Sequence, residues 1–138
     1  MPAVVPLIIA IIIIGILVFI AVSVTGNKVY EFDKEDYQAN FLAIENSLSR
    51  DNELSFNAAV IEADKLLDKA LMEMGLPGKT MGERMKAASN RFSSNNSIWY
   101  AHKMRNMIAH EHNFKVDYNK ATHALKAYRQ ALKDLGAI

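Results

Sequence analysis

Residues 3–24 read AVVPLIIAIIIIGILVFIAVSV, and no Asp, Glu, Lys or Arg stands anywhere between Ala3 and Val24. At ~1.5 Å rise per residue such a run is about 33 Å long as a helix, enough to cross a ~30 Å hydrocarbon core. A core helix of this length in a soluble protein would normally turn a polar face to solvent, and none is visible here. A cleaved signal peptide is the nearer rival. Against it, the n-region lacks Lys and Arg, the apolar run is too long, and no small-x-small site follows cleanly. The reading is an uncleaved single-pass anchor whose partner is the lipid bilayer, through residues 3–24. Lys28 and Lys34 follow the span while no Lys or Arg precedes it. The positive-inside rule then predicts a cytoplasmic soluble part. The absence of Cys fits a reducing compartment. A glycosylation sequon, Asn95-Asn96-Ser97, would matter only in the opposite orientation.

The chain divides on this reading into an anchor, 1–26, and a domain, 27–138, joined at Thr25-Gly26-Asn27. The domain shows no repeat and no alternating strand pattern; its apolar residues recur with helical spacing throughout. Asp33, with Asp36, can cap a first helix whose Tyr37, Phe41, Ile44 and Leu48 share a stripe. A second helix is predicted from about Glu53 to Met74, with Phe56, Ala59, Ala63, Leu66, Leu67, Ala70 and Met74 on one face. Gly75 suits a left-handed C-terminal position, and Pro77-Gly78 stops continuation. Thr80-x-x-Glu83 is a capping box opening a shorter helix with Met81, Met85, Ala88 and Phe92. Ser93 to Ser97 reads as a loop ending in a cap, and a fourth helix is predicted from Ile98 to about His110. Asp117 caps a fifth, with Ala121, Ala124, Leu125, Tyr128, Ala131, Leu132 and Leu135 on one broad face before Gly136. The fold class is all-α: one transmembrane helix followed by an up-and-down bundle of about five helices.

The fourth helix carries what chemistry the sequence offers. At ~100° per residue, Ile98, Ala101, Ile108 and Ala109 bracket Arg105, so a guanidinium falls within an apolar arc. His102, Asn106 and His110 recur every four residues beside it. A buried guanidinium without an anionic partner is costly, so the placement asks for a reason. One reason is structural: Arg105 pairs with a carboxylate of a neighbouring helix, and the histidines are helix-end and surface residues. A second is metal binding by histidines one turn apart, but no Glu follows the first His as in His-Glu-x-x-His, and Asn106 occupies the intervening position. No metal and no cofactor is expected. The third is phosphate chemistry, an Arg to hold phosphate oxygens and a His to move protons near neutral pH.

Arg105-Asn106-Met107-Ile108-Ala109-His110 resembles the R-x(4–6)-H signature of HEPN domains, whose Arg is commonly followed by a polar residue, here Asn106. The motif lies late in a helix, a short loop follows, and a long amphipathic helix comes after, so the resemblance extends over Asp33 to Gly136. It implies a metal-independent endoribonuclease assembled at a homodimer interface. His110 would draw the proton from a ribose 2′-hydroxyl or protonate the leaving oxygen, Arg105 would stabilise charge developing on the phosphate, and Asn106 would orient that group or the partner motif. His102 and Lys103 would contact substrate. RNA would be the partner and DNA would not, and the products would end in a 2′,3′-cyclic phosphate. Other HEPN proteins serve as non-catalytic binding or dimerisation modules, and the resemblance allows that function as well.

Charge is unevenly placed. From Lys28 to Gly78 there are 5 basic and 11 acidic residues, a net of −6; from Lys79 to Ile138 there are 11 basic and 4 acidic, a net of +7. A basic half holding the motif suits a polyanion, and complementary halves within a bundle or dimer would give the same pattern. Met72, Met74, Met81 and Met85 read as core fillers, and Trp99 and Tyr100 as anchors of the bundle. The acidic run Glu31-Asp33-Glu35-Asp36 suits a helix N-terminus. Gly78-Lys79-Thr80 resembles the end of a phosphate loop but lacks the upstream glycines and the preceding strand.

Overall fold

The computed structural model describes residues 4–25 and 30–138, and places them in six helices with no strand among the described residues. Two compact units result, 1–30 and 31–138. The boundary read between residues 26 and 27, the expected juncture at Gly26-Asn27, and Lys28 lie outside the described residues.

The first unit contains α1, Val4–Thr25. Its side chains from Val4 to Ala21 are exposed, and the helix is apolar on all sides. By length and composition α1 could cross a membrane.

The second unit is a helical bundle built from α2 (Lys34–Ser47), α3 (Glu53–Glu73), α4 (Met81–Ala87), α5 (Asn95–His110) and α6 (Tyr118–Leu135). Capping explains most of the boundaries. Asp33 accepts the backbone N–H of Asp36, Asn52 that of Leu54, Ser94 that of Ser97 and Asp117 that of Lys120. Thr80 and Glu83 form the capping box reciprocally. Gly136 closes α6 in the left-handed conformation, φ +81°. The start of α5 differs from the expectation: Asn95, Asn96 and Ser97 form its first turn rather than a loop, because Ser94 rather than Ser97 is the cap. The Asn95 amide also donates to the Ser89 carbonyl at 2.8 Å, which ties that turn to the chain before it.

Helix α3 is the hub. It packs against α2, α4, α5 and α6, and α5 packs in turn on α6. Phe56, Ala59, Val60, Ala63, Leu67, Ala70 and Leu71 of α3 are buried against Tyr37 and Phe41 of α2, Met85 of α4, Ile98 and Met104 of α5, and Ala124, Tyr128 and Leu132 of α6. Each large apolar side chain buried this way contributes roughly 1.5–3 kcal/mol. Met81 and Met85 are core residues and Met74 packs against the core, but Met72 is 54% exposed, on the side of α3 opposite its apolar stripe. Trp99 is half-buried and packs on the core, whereas Tyr100 is exposed, its ring set edge-to-face with that of His123.

Candidate active site

Helix α5 turns its apolar arc inward through Ile98, Ala101 and Met104. The arc is narrower than the sequence suggested, for Ile108 is only partly buried and Ala109 is exposed. Arg105 stands at its edge with its side chain 32% exposed, and His102, one turn earlier, is buried.

What receives them is Asp64, a residue the sequence reading did not single out. Asp64 lies on the core stripe of α3, 3% exposed. His102 Nδ1 approaches its Oδ1 at 2.9 Å, and the Tyr128 hydroxyl of α6 donates to the same oxygen at 2.9 Å. Arg105 Nε lies 3.3 Å from Oδ2, an ion-pair distance at an angle too oblique for a hydrogen bond. Three helices thus converge on one carboxylate. A buried carboxylate needs this many partners, since ionisation without them is prohibitive. Burial, and then the negative charge of Asp64, push the Tyr128 hydroxyl well above the ordinary tyrosine range.

On the other side of His102, Asn106 Nδ2 lies 3.3 Å from His102 Nε2, and Arg105 Nη1 donates to Asn106 Oδ1 at 3.2 Å. A guanidinium only donates, so Asn106 Oδ1 must face it and Asn106 Nδ2 must donate to the histidine. His102 Nε2 is therefore the acceptor and Nδ1 carries the proton given to Asp64. Both nitrogens of His102 are engaged inside the protein.

One turn of α3 further on, Asp68 accepts Arg84 Nε at 2.8 Å and Arg84 Nη2 at 2.9 Å, while Arg84 Nη1 donates to the Gly78 carbonyl at 3.0 Å. This fork, with Asp68 bonding as the leading cause, raises the Arg84 guanidinium above its ordinary value. It fixes α4 and the turn before it against α3.

Between these elements lies an open cleft of about 770 Å³, lined by Asp64 and Asp68 of α3, Lys79, Arg84 and Lys86 around α4, and Trp99, His102, Arg105, Asn106 and His110 of α5. Of the residues expected to act together, Arg105, Asn106 and His110 do share this cleft, and His102 forms part of its wall. Lys103 does not: it lines an adjoining groove of about 460 Å³ with Asn96, Trp99, Tyr100, His102 and Asn106. His110 is exposed at the last turn of α5. Among the described residues no group of three or more His, Asp, Glu or Cys side chains has the arrangement of a metal site. No known family model, curated protein or solved structure matches the chain.

Proposed function

We propose that this protein is a membrane-anchored, HEPN-like endoribonuclease that works without a metal. The observation that carries the reading is that Arg105, Asn106 and His110 open onto one cleft whose rim also bears Lys65, Lys79 and Lys86. A cation held in place, a histidine exposed to solvent and flanking lysines are what cleavage of a phosphodiester by its own ribose requires. The 2′-hydroxyl attacks phosphorus, the bond from phosphorus to the 5′-oxygen breaks, and the products are a 2′,3′-cyclic phosphate and a 5′-hydroxyl. His110 moves a proton at one of the two oxygens. Arg105 meets the charge that accumulates on the non-bridging oxygens, and Asn106 orients Arg105. Two chains would place two such motifs about one RNA strand, and α1 would hold the pair at a bilayer.

The test is cleavage of single-stranded RNA by the full chain in detergent micelles with excess chelator. Arg105→Ala and His110→Ala should each slow it by about 10²–10⁴-fold, His112→Ala should matter far less, and DNA should resist. The ion pair between Arg105 and Asp64 favours a second reading, a non-catalytic interaction module in which the arginine serves the fold. That reading prevails if the wild type never cuts RNA and Arg105→Ala chiefly lowers thermal stability.

A further inference from the structure

Four contacts close a loop. Asp64 Oδ1 meets His102 Nδ1, His102 Nε2 meets Asn106 Nδ2, Asn106 Oδ1 meets Arg105 Nη1, and Arg105 Nε returns to Asp64 Oδ2. Tyr128 braces the loop from α6 through Asp64. The loop has one consistent assignment of donors and acceptors. Arg105 can only donate, which turns the Asn106 carbonyl toward it; this turns the Asn106 amide N–H toward His102, which in turn directs the remaining imidazole proton to Asp64. Rotating any one member breaks a contact on both of its sides.

Arg105 thereby commits Nη1 to a hydrogen bond and Nε to an ion contact with Asp64, and among the described residues Nη2 makes no hydrogen bond. It is the edge of the guanidinium left for a ligand in the cleft that Arg105 lines. The closed set of Asp64, neutral His102, Asn106 and Arg105 carries no net charge. Long-range attraction of an anion thus falls to Lys65, Lys79 and Lys86, while the loop provides direction.

We propose that Asp64, His102 and Tyr128 are positioning residues, which fix Asn106 and through it hold Arg105 with Nη2 aimed at the phosphate to be cleaved. The proposal rests on the ribonuclease reading, and its test separates the two. Misplacing a reacting group by about 1 Å can cost on the order of 10²-fold in rate. In the full chain in micelles, His102→Phe keeps the ring's bulk and removes both nitrogens. It should lower kcat on single-stranded RNA by about tenfold or more and leave KM within about twofold, because the lysines that gather the substrate are untouched. His102→Gln can still accept from Asn106 and should recover part of the loss. His102→Asn, which reaches Asp64 but not Asn106, should not.

The second readout is the Arg105 Nη1–H resonance in a nitrogen-15 spectrum, which in the wild type, bonded to Asn106, should be sharp and displaced from that of a free guanidinium. In His102→Phe it should move to the free position. A free guanidinium in the wild type overturns the proposal whatever the rates are. So does a variant that cleaves RNA at the wild-type rate with the resonance unmoved. If the wild type cuts no RNA while the resonance behaves as described, the positioning loop stands and the ribonuclease reading falls.

Discussion

Asp64 is the residue on which most depends, because three partners from two other helices meet its two oxygens. Removing it strands Arg105, His102 and Tyr128 at once. Asp64→Ala should cost on the order of 3 kcal/mol, read as a loss in thermal or denaturant unfolding of the helical bundle. Tyr128→Phe removes one donor and leaves the others in place, so it should cost only about 1 kcal/mol. The two variants also differ in how stability responds to pH. The Tyr128 hydroxyl is pushed up by burial and by Asp64, so the folded state favours its protonated form. That contribution is full below the ordinary tyrosine value of 10.0 and is lost as pH rises past it toward the folded value. Stability measured across this range should fall more steeply for wild type than for Tyr128→Phe, and equal slopes would remove Tyr128 from the account. The sequence hinted at this network from one side only. An arginine at the edge of an apolar arc asks for an anion, and that was legible in the spacing of Ile98, Ala101 and Arg105. Its partner was written just as openly, since Asp64 sits among Val60, Ala63, Leu67 and Leu71 on the buried face of α3. Joining the two requires knowing that α3 and α5 touch, and helix periodicity does not specify which helices become neighbours.

Helix α4 is short enough that its ends decide whether it forms. Glu83 accepts from the backbone N–H of Lys79 and of Thr80, which hold its carboxyl below the ordinary value of 4.5. A lowered folded value means stability that is present above that pH and lost as pH falls through it, so Glu83→Gln should flatten the acid limb of the stability curve. Thr80→Ala should cost about 1 kcal/mol, as N-cap replacements do. Gly78 has a stricter requirement. Its φ is +144°, and a Cβ there would lie 2.7 Å from Glu83 Cβ and 2.8 Å from the Arg84 backbone nitrogen. Gly78→Ala should therefore shift α4 as well as strain the turn, and cost more than Gly136→Ala, whose added Cβ meets open space. Equal losses in thermal unfolding would show that only the positive φ matters. The capping box and the Pro77-Gly78 stop were readable because their signals are local. The start of α5 was not, since Ser94 and Ser97 are both good caps three residues apart, and the Asn95 bond to Ser89 helps tie the first turn down.

At the scale of the molecule, an apolar helix joins a bundle whose charges are sorted along the chain. The positive-inside bias rests on Lys28 and Lys34, so protease added outside intact cells should leave the domain uncut; its digestion would reverse the orientation and remove access to cytoplasmic RNA. If the proposed ribonuclease site is built from two chains, the full chain should associate in micelles, and cross-linking through α5 should capture dimers. Part of the charge asymmetry now has an internal use. Glu45 pairs with Arg129, Asp64 with Arg105 and Asp68 with Arg84, each an acid from before Pro77-Gly78 held by an arginine from after it. Each of these arginines is thus matched to its own carboxylate, and the lysines of the second half are the more available to a visitor. The same arrangement makes the helical bundle divisible. Cut at the Pro77-Gly78 turn, the segments 30–78 and 79–138 would be two oppositely charged polypeptides, each missing the ion-pair partners and the apolar faces the other holds. Produced separately they should recognise one another and refold as a noncovalent pair, with an encounter rate that slows as salt is added.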